Sequence, residues 1–377
     1  MKILITTDLF WVKTNGVVTS LTSLYRLLKE KGQEVKILTL SFDQHAHHDG
    51  DVYSLPSFSL EKIYPDLRGS LIRNNDLLKE IIDWQPNIIH SQCEFFSYSW
   101  ALKIQKATKA KLIHTCHTLY AEYLNYLKLP VAYPLFAQVL KRRLKTAAVL
   151  IAPSQKTAEQ LVKEGHQQKI LIIPTTVELK PGTLQIEEKS ALKAKLRLPA
   201  DAFIFLSLGR LGQEKHPEIL VDCFARLHRQ HPHTRLLFVG DGPMFKPLQQ
   251  QVKEAGLTEA VSFAGAIGPE DTWRYYQLAD CFLSASQSEA QGLVFLEACV
   301  NGLPLLARKD ECLSELLIED ANGFYFSTAK DFVKAANKML GNTAFLRQAG
   351  HISRHLASKY DPENFVNAIL NVYNGME

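Results

Sequence analysis

Two glutamates with seven residues between them, Glu289 and Glu297, are the residues whose type and spacing point most directly to chemistry. Residues 281–284 form a short apolar run typical of a strand, and the apolar residues after Gly292 recur at helical spacing. This order predicts a strand, a loop that holds Glu289, and a helix with Glu297 in its second turn. The free N–H groups at the start of such a helix attract phosphate, and two carboxylates can bind different hydroxyls of one ligand. The stretch therefore suits a polyhydroxylated, phosphorylated molecule.

Both glutamates also have an ordinary interpretation. An acidic residue just before a helix often caps it, and one inside a helix often faces solvent. The neighbours of Glu297 argue against this, because Leu296, Ala298 and Cys299 are apolar. A carboxylate enclosed in this way is expected to have a hydrogen-bonding partner, since burying it alone is costly.

Composition limits the class of protein. The chain has 377 residues, of which 46% are hydrophobic and 22% charged, which fits two globular domains of roughly 150–200 residues each. No apolar run approaches the roughly 20 residues of a membrane-spanning helix, and residues 1–8 lack the features of a signal peptide. The six cysteines are scattered without a C-x-x-C pair. These features predict a cytoplasmic protein with reduced thiols.

The positive charge of the chain is concentrated in its first half. The net charge is +4, and residues 1–175 hold 22 Lys and Arg against 15 Asp and Glu. The cluster Lys141, Arg142 and Arg143 follows an aromatic and apolar stretch that includes Tyr120 and Tyr123. Nothing in it resembles a nucleic-acid motif, so we expect no nucleic acid. The stretch suits an anionic membrane surface with tyrosines at head-group level, although a core helix with a solvated basic end would have the same composition.

The order of strand-like and helix-like segments predicts an α/β fold with parallel sheets. A first series of strands is expected at residues 2–7, 35–40, 87–91, 111–115, 148–152 and 169–173. Helices are expected at residues 19–31, 71–84 and 154–163. A second series of strands is expected at residues 203–208, 236–239, 260–263, 281–284 and 304–307, with a final helix at 361–372. We therefore predict two Rossmann-like domains with a cleft between them, at residues 1–175 and 201–355, joined by a linker at 176–200.

The stretch SEAQGLVFLEACVNGLPLLARKD resembles the E-x7-E signature of the GT-B glycosyltransferases of family 4, especially the branch that glycosylates diacylglycerol. Further matches run from Asp8 to about Phe326. This resemblance implies the GT-B fold, with two Rossmann-like domains facing each other across a cleft. It also implies that residues 356–377 cross back onto the first domain.

The resemblance assigns donor-binding roles in the second domain. Arg210 and Lys215 match the family's G-R-x-x-x-E-K motif, whose basic residues bind the leaving phosphates, although most such pairs are ordinary exposed charges. Glu297 is expected to hold the nucleotide ribose. Glu289 is expected to hold sugar hydroxyls and phosphate together with the amides of Gly292 and Leu293. A further family stretch includes Gly240.

Two motifs in the first domain resemble the same family. Gly16 lies in an N-G-V-x-x-S loop whose glycine backbone meets the donor diphosphate, and otherwise it would be a simple turn glycine. His117 begins an H-T-x-Y-x-x-Y stretch that includes Tyr120 and Tyr123, and the family's histidine contacts the transferred sugar. A lone histidine at a strand end is otherwise structural, and His114, inside the strand, is expected to be packed in the core.

The resemblance implies a retaining glycosyltransferase that moves a hexose from a UDP-sugar, with UDP-glucose as the expected donor and diacylglycerol as the expected acceptor. There is no D-x-D of the kind that holds a metal on a sugar diphosphate in the other large glycosyltransferase fold, so we expect no metal and no other cofactor. We expect the protein to associate peripherally with the inner face of the cell membrane. Residues 8–11 lack the proline common in the family, which leaves the acceptor open to phosphatidylinositol, a polyprenyl-linked sugar or a protein. The sequence is also compatible with a non-catalytic sugar-nucleotide-binding protein or an epimerase.

Overall fold

The computed structural model describes residues 1–10, 16–42, 45–60, 68–120, 133–177 and 182–375. The chain divides into two compact units. Unit 1 contains Met1–Thr176 together with Pro362–Glu377, and unit 2 contains Val177–Asp361. The end of the chain therefore belongs to the same unit as its beginning.

Unit 1 is built on an eight-stranded sheet in the order β10-β9-β8-β7-β1-β2-β4-β3. All neighbours are parallel except β3 and β4. The strands are β1 (Lys2–Thr6), β2 (Glu34–Leu40), β3 (His47–Asp49), β4 (Val52–Leu55), β7 (Ile88–Ser91), β8 (Lys111–Thr115), β9 (Val149–Ala152) and β10 (Lys169–Ile172). A separate antiparallel pair consists of β5 (Phe58–Ser59) and β6 (Arg68–Gly69). The central strands are buried on both faces, as parallel sheets require.

Helices cover both faces of this sheet. They are α1 (Gly16–Glu30), α2 (Asp76–Trp84), α3 (Phe96–Thr108), α4 (Tyr133–Leu144), α5 (Gln155–Lys163) and α13 (Pro362–Asn374). The C-terminal helix α13 packs its apolar side, including Val366 and Ile369, into the same cluster as Leu24 of α1 and Ile5 of β1. The hydroxyl of Tyr373 also lies 2.7 Å from Nδ1 of the buried His90. Apolar packing and this polar contact hold α13 on unit 1.

Unit 2 has a six-stranded, fully parallel sheet in the order β13-β12-β11-β14-β15-β16. Its strands are β11 (Phe203–Leu208), β12 (Thr234–Val239), β13 (Val261–Phe263), β14 (Cys281–Ser284), β15 (Leu305–Arg308) and β16 (Gly323–Phe326). Its helices are α6 (Ile186–Lys195), α7 (Pro217–Gln230), α8 (Phe245–Glu254), α9 (Thr272–Leu278), α10 (Leu293–Val300), α11 (Ala329–Met339) and α12 (Thr343–Ala357). Two apolar clusters fill the two faces of the sheet. Both units are therefore Rossmann-like, as the sequence predicts.

The strand orders fix where ligands can bind. In unit 2 the chain leaves β11 toward β12 and later returns to the other side of β11 at β14. In unit 1 the same reversal separates β1 from β7. Crevices at the carboxyl ends of strands open at such reversals, so the loops after β11, β14, β1 and β7 are the candidate binding loops.

The predicted strands all exist, and each has at most two residues more or fewer at either end. The helix predicted at residues 71–84 begins instead at Asp76, because the side chain of Asn75 accepts a hydrogen bond from the Leu77 amide and caps it. The segment predicted as a linker contains α6, and Leu192 on this helix packs against the core of unit 2. The chain between the two sheets is thus partly built into the second unit.

Candidate active site

An ion pair between Lys215 and Glu289 joins the loops that follow β11 and β14. Nζ of Lys215 lies 2.7 Å from Oε1 of Glu289, and the two side chains are 26% and 14% exposed. Burial by itself would lower the pKa of Lys215, but the neighbouring negative groups, chiefly the Glu289 carboxylate and also Glu214, together raise that pKa above its usual value. The fold therefore brings together two predicted site residues that are 74 positions apart in the sequence.

Arg210 lies on the same loop as Lys215 and also contacts a carboxylate. Its NH1 is 3.2 Å from Oε1 of Glu214, whose side chain is buried. The hydroxyl of Ser288 donates a hydrogen bond of 3.0 Å to the backbone oxygen of Glu214. Glu214 thus orients the guanidinium and ties the loop after β11 to the loop after β14. A guanidinium and an ammonium that are both fixed on one loop can bind a diphosphate.

Gly292 permits the turn into α10. Its φ is +78°, a backbone conformation that residues other than glycine rarely adopt. A Cβ atom there would also lie 2.8 Å from Cδ2 of Phe295. The helix begins at Leu293, and the first amides of an α-helix have no partner within it. The predicted amides of Gly292 and Leu293 therefore lie at the positive end of α10, beside the loop that carries Glu289.

Glu297, in the second turn of α10, has the partner that its apolar neighbours predict. The hydroxyl of Tyr276 donates a hydrogen bond of 2.6 Å to Oε2 of Glu297. Burial raises the pKa of Glu297 to about 7, and the hydrogen bond from Tyr276 opposes that rise. Near neutral pH this carboxyl group is therefore close to the midpoint of its titration.

The raised pKa of Glu297 predicts a pH-dependent stability. The folded protein binds this proton more tightly than the unfolded chain. The resulting contribution to the free energy of unfolding is therefore fully present below about pH 4.5 and is lost as the pH rises through about 7. Between pH 5 and pH 8 we expect the free energy of unfolding of the wild type to fall by about 2 kcal/mol more than that of Glu297→Gln. Urea unfolding at both pH values measures the difference, with the exposed Glu259→Gln as control. Parallel pH dependences of wild type and Glu297→Gln would contradict the prediction.

Gly240 directly follows β12 and touches the loop that carries Arg210. Its φ is +134°, and a Cβ atom on it would lie 1.9 Å from the backbone oxygen of Gly209. The Gly209 amide donates to the oxygen of Val239, and the Leu211 amide to that of Asp241, both at 2.9 Å. The loops after β11 and β12 are therefore in direct backbone contact, and the predicted Gly240 supports the loop that carries Arg210.

In unit 1, Gly16 is the first residue of α1, which begins three residues before the predicted start at residue 19. His117 lies two residues beyond β8 and is partly exposed. Its Nε2 lies 2.7 Å from Oε1 of Gln92, which follows β7 directly. Burial lowers the pKa of His117 to about 4, so its imidazole is neutral at physiological pH.

Glu94 links several elements around His117. Oε2 of its buried carboxylate accepts a hydrogen bond of 2.5 Å from the hydroxyl of Tyr120, and Oε1 lies 3.2 Å from Nε2 of His114. His114 is fully buried, as predicted. The ligand atoms of Glu94, His114 and Cys116 lie within 4.8 Å of one another. Because His114 and Tyr120 already occupy both oxygens of Glu94, the cluster is explained by hydrogen bonding. The predicted acceptor residue Tyr120 therefore directs its hydroxyl into unit 1.

The predicted basic cluster is divided in the structure. Arg142 is exposed on α4, and Lys141 is half-buried. Arg143 instead donates hydrogen bonds to the backbone oxygens of Glu94, at 3.0 Å, and Phe95, at 2.6 Å. Tyr123 lies outside the described residues. The exposed side of α4 also carries Leu135, which is 68% exposed, and Val139, which is 47% exposed.

Four residues of these networks were not predicted from the sequence: Gln92, Glu94, Glu214 and Tyr276. Gln92 and Glu94 are the first and third residues after a predicted strand, so their position was a usable signal. Tyr276 is 21 positions before its partner Glu297, and no sequence spacing identifies such a contact.

Family models of glycosyltransferases match both units of the chain. A family model described as Glycosyltransferase Family 4 matches residues 14–180, and one described as Glycosyl transferases group 1 matches residues 188–356. The chain is 29% identical over 372 residues to alpha-monoglucosyldiacylglycerol synthase of Streptococcus pneumoniae, covering 97% of this chain and 83% of the relative. It is 26% identical over 347 residues to the protein of the same name from Acholeplasma laidlawii, covering 89% and 87%.

Solved structures agree in fold. The crystal structure of HepE from Anabaena, in complex with UDP and glucose, covers 99% of both chains with a TM-score of 0.80 and 18% identity. Among the helices of the described residues, none is long and apolar enough to cross a membrane.

Proposed function

This chain is a glycosyltransferase of family 4 with the GT-B fold, and we propose that it transfers glucose from UDP-glucose to diacylglycerol with retention of the anomeric configuration. One observation supports diacylglycerol as the acceptor: two relatives that match most of the chain are both named alpha-monoglucosyldiacylglycerol synthase. The α-linked glucose in that name agrees with retention, since UDP-glucose is itself an α-glucoside.

The proposed donor site lies on the loops of unit 2. Arg210 and Lys215, each oriented by a carboxylate, receive the two phosphates of the donor, and the amides at the start of α10 add further hydrogen bonds. These groups supply the positive charge that a metal ion would otherwise provide. We therefore propose that transfer needs no metal.

Three further residues have proposed roles toward the sugar nucleotide. Glu297 accepts hydrogen bonds from the ribose hydroxyls, and Glu289 accepts them from the glucose. The neutral imidazole of His117 binds another glucose hydroxyl. Each role requires a polar group held in one orientation, which agrees with the hydrogen bonds to Tyr276, Lys215 and Gln92.

The proposed reaction breaks the bond between glucose C1 and the β-phosphate oxygen of UDP and forms one between C1 and the acceptor hydroxyl oxygen. The departing β-phosphate oxygen takes the acceptor's proton, on the face of the sugar where the acceptor attacks. The protein then contributes mainly electrostatic stabilisation of the departing diphosphate through Arg210, Lys215 and α10. A covalent glucosyl-enzyme intermediate, detected by mass spectrometry, would exclude this route.

We propose that unit 1 meets the cytoplasmic face of the membrane through α4. Leu135 and Val139 are exposed apolar residues one turn apart, and the exposed Arg142 follows one turn later. Such a helix face can insert its apolar side chains while its basic residue meets anionic head groups.

A transfer assay tests the donor and acceptor. Purified protein is incubated with radiolabelled UDP-glucose, UDP-galactose, UDP-N-acetylglucosamine or GDP-mannose and with anionic vesicles that contain diacylglycerol, phosphatidylinositol or a polyprenyl-linked sugar. We expect labelled lipid with UDP-glucose and diacylglycerol, unaffected by EDTA. Label in another lipid would show that this lipid, and not diacylglycerol, is the acceptor. Release of UDP without any labelled product would indicate another reaction, and tight UDP binding without turnover would indicate a non-catalytic binding protein.

The same assay tests the membrane surface. For the variant Leu135→Glu/Val139→Glu we expect about tenfold lower affinity for anionic vesicles and about tenfold slower transfer to the diacylglycerol they contain, while its affinity for UDP in solution is unchanged. The matched control is Ile318→Glu in unit 2, whose side chain is 47% exposed like that of Val139. Equal losses in the α4 variant and the control would exclude α4 as the membrane surface.

A further inference from the structure

We propose that Gln92 is a positioning residue that fixes the tautomer and orientation of His117. This inference rests on the proposed function only in that His117 is taken to bind a hydroxyl of the transferred sugar. Gln92 itself would not touch either substrate.

The position of Gln92 makes it a rigid support. It is 2% exposed, and its backbone amide donates a hydrogen bond of 2.8 Å to the oxygen of Thr6, which ends the neighbouring strand β1. Because β7 and β8 are adjacent and parallel, with Ser91 opposite His114, the residues just beyond both strands lie side by side at one sheet edge. The side chain of Gln92 thus reaches His117 from a fixed base.

The segment that carries His117 is held on both sides of the imidazole. The Cys116 amide donates a hydrogen bond of 2.9 Å to the oxygen of Ile151 and so continues the sheet ladder beyond β8. After His117, the hydroxyl of Tyr120 is bound by Glu94. With the backbone fixed at both ends, the remaining freedom of His117 is rotation of its side chain and choice of tautomer. The contact with Gln92 removes both.

The chemical consequence follows from the tautomer. When Nε2–H donates to Oε1 of Gln92, Nδ1 of the neutral ring carries a lone pair and can only accept. His117 would therefore receive a hydrogen bond from a sugar hydroxyl and would not donate one. Without Gln92 the ring could rotate and exchange tautomers, and only part of the population would be competent to bind the donor in the reactive geometry.

Nitrogen-15 NMR of the histidine side chains tests the orientation without any substrate. The His117 signals are identified by their loss in His117→Ala. In the wild type we expect a protonated Nε2 and an unprotonated Nδ1, and in Gln92→Leu we expect signals averaged between tautomers. The control Gln168→Leu loses two side-chain hydrogen bonds in unit 1, one of 2.7 Å to the oxygen of Leu144 and one of 3.0 Å from the amide of Gln167, and should leave His117 unchanged. A wild type protonated at Nδ1, or unchanged His117 signals in Gln92→Leu, would overturn the proposal.

Kinetics test the consequence for transfer. We expect Gln92→Leu to lower kcat/KM about tenfold and Gln168→Leu to leave it unchanged. The double variant Gln92→Leu/His117→Ala should be no worse than His117→Ala alone, because Gln92 acts through the imidazole. Additive losses would assign Gln92 a merely structural role and overturn the proposal. If His117→Ala transfers like the wild type while Gln92→Leu still changes the NMR signals, the proposed role of His117 fails and the orienting role of Gln92 stands.

Discussion

Replacement of Glu289 by glutamine is expected to lower kcat for glucosyl transfer by about 100-fold or more while changing the affinity for UDP less than about threefold. The glutamine keeps the size of the side chain but removes the charge that orients Lys215 at 2.7 Å. UDP can still bind, because its negatively charged phosphates can pair with Lys215 in place of the lost Glu289 carboxylate. The sugar, however, loses a carboxylate acceptor in the reacting geometry.

Isothermal titration with UDP and the transfer assay, performed on one preparation, separate these effects. Glu259→Gln is the matched control, since Glu259 is an exposed glutamate of the same unit. The pair variant Glu289→Gln/Lys215→Met measures the coupling between the two residues, which we expect to be strong because they are in direct contact. A parallel loss of UDP affinity and transfer in Glu289→Gln would show that Glu289 serves the diphosphate site and has no separate role toward the sugar.

Local sequence patterns predict much of unit 2. The apolar run at β14, the glycine before α10 and the helical spacing after it are all local signals, and each is found as predicted. The enclosure of Glu297 by apolar neighbours even predicts that it has a partner. The identity of that partner is not predictable from spacing, because Tyr276 reaches Glu297 from α9 through the packing of two helices.

Unit 1 shows the limit of such reasoning more sharply. The sequence pattern predicts that Tyr120, Arg142 and Arg143 belong to one amphipathic membrane segment. In the structure, however, the hydroxyl of Tyr120 is bound by Glu94, and Arg143 is bound by backbone oxygens. Composition describes which groups are available, whereas the direction of each side chain depends on which loops the sheet order brings together. Arg142 stays exposed because it lies on the outer side of α4.

The same dependence on tertiary contact makes Gly240→Ala the most destabilising change that we predict. A methyl group there would lie 1.9 Å from the oxygen of Gly209, and φ at this residue is +134°, so strain and steric overlap act together. We expect unit 2 to lose about 3 kcal/mol or more of stability, seen as a decrease of roughly 6–12 °C in Tm. Because the Gly209 loop must move, and Arg210 with it, UDP affinity should fall as well.

Gly256→Ala separates backbone strain from steric overlap. Gly256 has a φ of +69°, but nothing lies within 4 Å of a Cβ atom placed on it. Its replacement should cost about 1 kcal/mol and leave UDP binding unchanged. Calorimetric unfolding of both variants, with UDP titration at a temperature where each is folded, measures the two effects. If Gly240→Ala is no less stable than Gly256→Ala, the two loops do not need their close backbone contact, and Gly240 does not support the loop that carries Arg210.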